Sequence, residues 1–108
     1  MEKENIMPIV LGAGDAAFVR RYAKLYGSPV AVLDTERNLR ITFITSAKFI
    51  KMRSAEDEIV LMYIASLLEE TDRMPLLAAV GPQYRGFVER NRDALSALCI
   101  LWHENFEF

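Results

Sequence analysis

The sequence predicts one open α/β domain over residues 1–108, with a parallel sheet of about four or five strands and helices on both faces. Three observations carry that expectation. Short apolar runs rich in branched residues recur at residues 7–11, 30–33 and 75–80. Amphipathic stretches with three- and four-residue spacing lie among them, and glycine or proline marks the junctions.

Residues 7–11 do not alternate apolar with polar side chains, which is the pattern of a strand covered on both faces. Pro8 sits near the start, where a missing N–H is tolerated, and Gly12 and Gly14 close the run. From Asp15, the residues Phe18, Val19, Tyr22, Ala23 and Tyr26 share one helical face while Arg20, Arg21 and Lys24 fall on the other, and Gly27 is placed to end the helix. Pro29 leads into the second strand at 30–33, followed by polar turn residues 34–38. A third, short strand is expected at 41–44, then a loop over 45–53 with one brief extended piece. Ser54 and Asp57 have the spacing of an N-terminal capping pair for a helix marked by Ile59, Val60, Tyr63, Ile64, Leu67 and Leu68. After the strand at 75–80 and Gly81-Pro82, the residues Tyr84, Phe87, Val88, Asn91, Leu95 and Leu98 predict one further helix, and 98–102 starts a last strand. The polar tail from His103, with Phe106 and Phe108, has no closing helix, so the chain is expected to be part of something longer.

The composition narrows the function. Hydrophobic residues make up 52% and charged residues 26%, enough apolar material for a core and no mark of disorder. Thirteen Lys and Arg stand against fifteen Asp and Glu, giving a formal charge of -2 and no electrostatic footprint for nucleic acid. No uncharged apolar run approaches the roughly 20 residues that span a bilayer, so no membrane partner is expected. The first five residues lack the basic and apolar regions of a secretory signal, and Cys99 is the sole cysteine, which fits a cytoplasmic protein without an internal disulfide.

Two loops are candidates for chemistry. Gly12-Ala13-Gly14-Asp15-Ala16-Ala17 matches G-x-G-x-x-A between a predicted strand and helix, and Asp34 ends the next strand twenty residues after Gly14. In a dinucleotide-binding domain Gly12 would allow the sharp turn, Gly14 the approach of a pyrophosphate, Ala17 close helix packing, and Asp34 would take the ribose hydroxyls. The same glycines also join a strand tightly to a helix in domains that bind no nucleotide, and the charge of Asp15 opposes a phosphate at that helix start. The second candidate is Val80-Gly81-Pro82-Gln83-Tyr84, after a later strand, where Gln83 can bond an amide or carboxylate and Tyr84 can donate its hydroxyl. The alternative, slightly favoured, is that Gly81-Pro82 is a turn and Gln83 starts a helix. His103 is the only histidine and reads as a solvated tail residue; Cys99 reads as a small buried hydrophobe, and no metal site is expected.

The stretches at 7–14, 26–34, the Ser46 loop and 84–95 together resemble, in order and spacing, the N-terminal domain of ATP-grasp carboxylate–amine ligases of the D-aspartate ligase or carbamoyl-phosphate-synthase-like type. The likeness covers nearly the whole chain, and its most specific part is Phe87-Val-Glu-Arg-Asn-Arg-Asp-Ala-Leu95. It implies a three-layer, Rossmann-like pre-ATP-grasp fold forming the substrate side of a cleft, with Gly12, Ala13, Gly14, Gln83 and Tyr84 as the substrate-binding positions. It implies no cofactor in this chain, with ATP and magnesium held by a missing C-terminal ATP-grasp domain, so the chain alone should be inactive. Where relatives often carry an acidic residue, this sequence has Gly81-Pro-Gln83.

The expected function is thus the substrate side of an ATP-dependent ligase that joins a carboxylate to an amine through an acyl phosphate. The rivals are a fragment of an NAD(P)-binding oxidoreductase using Gly12, Gly14, Ala17 and Asp34, and a stand-alone, non-catalytic binding module. Surface meant for a missing domain would also favour a homodimer at high concentration.

Overall fold

A computed structural model describes residues 5–27 and 29–103, and therefore leaves the expectations about the tail beyond His103 outside the described residues. Five strands, β1 (Ile6–Leu11), β2 (Val30–Asp34), β3 (Ala47–Lys51), β4 (Met74–Ala79) and β5 (Ile100–Leu101), form one parallel sheet in the order β3-β2-β1-β4-β5. Helices α1 (Ala16–Tyr26) and α2 (Leu39–Thr42) cover one face, and α3 (Asp57–Glu69), α4 (Pro82–Arg90) and α5 (Arg92–Leu98) cover the other. The domain is three-layered, Rossmann-like α/β, as expected.

Strand pleating divides the core in two. Ile6, Val10, Val30, Val32, Leu76 and Ala78 point toward Val19 and Tyr22 of α1 and Ile41 of α2. Ile9, Leu11, Leu33 and Leu77 point the other way, onto Val60 and Ile64 of α3, Phe87 of α4 and Leu95 of α5. Because β1 and β4 are apolar on both faces, alternation is absent from their sequences. Tyr22 keeps its hydroxyl in the core by donating to the Leu76 carbonyl at 2.7 Å; burial pushes the phenol far above its usual pKa. No helix among the described residues is long and apolar enough to cross a membrane.

Three local expectations are corrected. Residues 41–44 do not form a strand: Asn38 caps the short helix α2, its Oδ1 accepting from the Arg40 N–H at 2.9 Å, and the third strand lies at Ala47–Lys51. A parallel neighbour of β2 needs a crossover, which α2 supplies. Ser54 and Asp57 do not cap each other; Ser54 Oγ accepts from the Glu56 N–H at 3.0 Å. The helix expected over 84–98 is two helices, α4 and α5, broken at Asn91, whose side chain donates to the Phe87 carbonyl and to Asp57, each at 2.9 Å. This local side-chain bond competes with the helical ladder and turns the chain, leaving Leu98 exposed rather than on the buried face.

Asp57 also receives Nε and Nη2 of Arg90 at 2.9 and 2.8 Å, tying the start of α3 to the end of α4. The Arg90 and Asn91 donors lower the Asp57 pKa from 3.8 to about 2. A depressed folded-state pKa contributes stability above the unfolded value, and that contribution is lost as pH falls through the folded one. Thermal melts between pH 5 and pH 2 should therefore show an acid-induced loss below about pH 4 that is smaller in Asp57→Asn. Equal acid sensitivity in both proteins would show that the tie does not hold in solution.

Cys99 is buried as expected, its Sγ donating to the Leu95 carbonyl at 3.2 Å, and burial raises the thiol pKa to about 11. The thiolate is the reactive form. At pH 8 a disulfide reagent should label Cys99 in the folded protein far more slowly than in urea, and labelling at the unfolded rate would contradict this burial.

Candidate functional site

The strand order reverses direction between β1 and β4, so the carboxyl ends of these strands are the place where an open parallel sheet offers a crevice. Both candidate loops leave the sheet there. The Gly12 N–H donates to the Leu33 carbonyl and the Val80 N–H to the Leu11 carbonyl, each at 2.8 Å, which extends the ladder into the loops.

At the end of β2, Asp34 joins the two loops. Its Oδ2 accepts from the Ala13 N–H at 2.8 Å, and its Oδ1 accepts from the Tyr84 hydroxyl at 2.8 Å and the Thr35 N–H at 2.7 Å. Burial, and then the bond to Asp34, pushes the Tyr84 phenol well above its ordinary pKa, so it remains a protonated donor. Gly12 packs directly on the Val80 carbonyl and the Tyr84 ring. This corner is closed: Gly12, Ala13 and Tyr84 are buried, whereas Gly14, Ala17 and Gln83 are exposed. Of the residues singled out in the sequence, Gly12, Ala13, Asp34 and Tyr84 meet in one hydrogen-bonded knot. Gly14, Ala17 and Gln83 lie outside it and remain open to solvent. Asp15 caps α1, its Oδ1 accepting from the Phe18 N–H at 3.0 Å.

An open groove of about 590 Å³ lies beside this knot, past the carboxyl ends of β4 and β5. Its volume falls within the range of small-molecule sites. Val80 and Asp15 connect it to the two loops, and Phe18, Leu77, Leu101 and Trp102 give it an apolar wall. Arg21, Arg85 and Arg92 bring positive charge, with Glu89 and His103 also lining it. Glu89 forms an ion pair with Arg92, and the Arg21 guanidinium stands 5.6 Å from the Phe18 ring centre. The aromatic wall is held in place: Trp102 meets Phe18 edge-on at 5.2 Å, and its indole N–H donates to the Tyr26 hydroxyl at 3.1 Å.

Sequence reasoning did not single out Arg21, Phe18, Arg85, Arg92 or Trp102 as a site. They come from α1, α4, α5 and the segment after β5, so no local spacing joins them. Among the described residues, no three His, Cys, Asp or Glu side chains gather where they could hold a metal ion. Comparisons with protein-family models, curated proteins and solved structures gave no match.

Proposed function

We propose that this chain is the substrate-side domain of an ATP-dependent carboxylate–amine ligase, with the substrate held at the carboxyl ends of β1, β4 and β5. The observation that supports the reading is the arginine-lined groove beside the closed Asp34 knot. The groove offers cations to a carboxylate. By contrast, Ala13 and Asp34, which a dinucleotide would need at its pyrophosphate and ribose, are already bonded to each other. In this reading Gly12, Ala13 and Tyr84 shape the loops from within, whereas Gly14 and Gln83 are exposed and do not line the groove. ATP and magnesium belong to a separate domain, which activates the carboxylate as an acyl phosphate. The contribution of this chain is to hold and orient a reactant, the part of catalysis that comes from positioning.

Trp102 is the single tryptophan and lines the groove, so its fluorescence reports occupancy directly. Titration with small mono- and dicarboxylates, amino acids and NAD(P)H should give a saturable change with a carboxylate-bearing ligand, weakened about tenfold in Arg92→Ala. Tight NAD(P)H binding, abolished in Asp34→Ala, would replace the proposal with the oxidoreductase reading. No response to any carboxylate would remove the ligase reading.

A further inference from the structure

We infer that the groove past β4 and β5 selects a carboxylate attached to an apolar, preferably aromatic, body; this rests on the ligase reading and names the substrate class of that site. The argument begins with how charge and apolar surface are arranged around one cavity. Arg85 and Arg92 come from α4 and α5, whereas Phe18 and Trp102 come from α1 and the segment after β5. Two of the three cations thus come from elements other than those that carry the rings, while Arg21 of α1 stands beside Phe18.

The apolar wall is organised without a ligand. The Trp102 backbone N–H donates to the Leu77 carbonyl at 2.8 Å, its indole N–H bonds Tyr26, and its ring packs edge-on against Phe18. Leu77 and Leu101 continue the surface between the aromatic rings and the sheet. A ligand ring entering there loses water without requiring these side chains to be newly ordered. A bare carboxylate would use the arginines but leave this wall wet, and an apolar amine would meet the arginines with like charge.

The cationic wall is only partly neutralised from within. Glu89 is engaged with Arg92, and Asp15 with the first turn of α1. The Arg85 side chain, on the exposed side of α4, makes no hydrogen bond or ion pair with another described residue. A ligand carboxylate beside Arg85 and Arg92 would complete the charge balance of the groove, with Arg21 flanking the aromatic side.

The test is an NMR titration of the full chain, following the Trp102 indole N–H, with four probes: phenylacetate, acetate, inorganic phosphate and phenethylamine. Phenylacetate should give a saturable shift, with acetate and phosphate binding at least about tenfold more weakly and phenethylamine more weakly still. Arg85→Ala, and separately Arg85→Ala with Arg92→Ala, should weaken phenylacetate progressively, the pair by about tenfold or more, while Arg40→Ala on α2 leaves it unchanged. Both arginines replaced are exposed, and circular dichroism checks that each variant is folded. Equal binding of phosphate or acetate would reduce the site to charge alone, and equal binding of phenethylamine would reduce it to apolar contact alone; either result overturns the inference. So does unchanged phenylacetate affinity in the folded double variant. If phenylacetate fails while another carboxylate, such as succinate, saturates the same Trp102 signal, the aromatic preference is lost and the ligase reading stands.

Discussion

Replacing Gly12 with alanine is expected to destabilise the protein by about 3 kcal/mol or more, a large part of the roughly 5–15 kcal/mol available to a domain. Gly12 has φ of 108°, a conformation that L side chains rarely adopt. An added Cβ would lie 2.6 Å from the Val80 carbonyl oxygen and 3.2 Å from Cδ2 of Tyr84. The first of these neighbours is backbone, fixed by the Val80 N–H bond to Leu11, so relief would require β1 and β4 to separate at their ends. Gly14 is the internal control: a Cβ there meets nothing within 4 Å, and its alanine variant should stay within about 0.5 kcal/mol of the parent. Urea denaturation at constant slope measures both. Equal midpoints for the two variants would mean that the loops do not close on each other as described.

The second large effect is expected from Asp34→Ala, at about 3 kcal/mol. The substitution removes the acceptor for the Ala13 N–H, the Thr35 N–H and the Tyr84 hydroxyl together, and Tyr84 is only 3% exposed. A buried donor left without a partner costs more than a hydrogen bond ordinarily contributes. Tyr84→Phe removes one donor and keeps the ring, so it should cost only about 1 kcal/mol. The contrast separates two roles for Asp34. As a structural junction, its loss lowers the urea midpoint whether or not a ligand is present. As a ribose ligand, its loss would leave stability close to the parent and abolish only NAD(P)H binding.

Most of the sheet was legible because each of its central strands is a self-contained signal. Residues 7–11, 30–33 and 75–80 are apolar on both faces, and the helices that bury them carry their own periodicity, as in the Val19, Tyr22, Ala23 and Tyr26 face of α1. The third strand was legible only as a brief extended piece within 45–53, while the strand itself was expected at 41–44. In β3, Lys48 and Lys51 are exposed at the sheet edge and the remaining residues are only partly buried, so the apolar pattern that announces an inner strand is missing. The break at Asn91 was hidden for a different reason. Helical spacing continues through Phe87, Asn91 and Leu95, but the Asn91 side chain finds Asp57 thirty-four residues away and the Phe87 carbonyl beside it.

The candidate site divides along the same line. Gly12, Gly14, Asp34 and Gly81 with the first turn of α4 follow readable strands, and a parallel sheet necessarily brings such ends to one edge. The sequence alone therefore determined the α/β class, the order of most elements and the edge at which to look. Only the tertiary structure decided that Asp34 closes one corner while Phe18, Arg85, Arg92 and Trp102 surround an open groove beside it. The reason is physical. Secondary structure follows from periodicities within a few residues, whereas a hydrogen bond from Tyr84 to Asp34, or a cavity built from four separate segments, depends on where packing places side chains that the sequence leaves far apart.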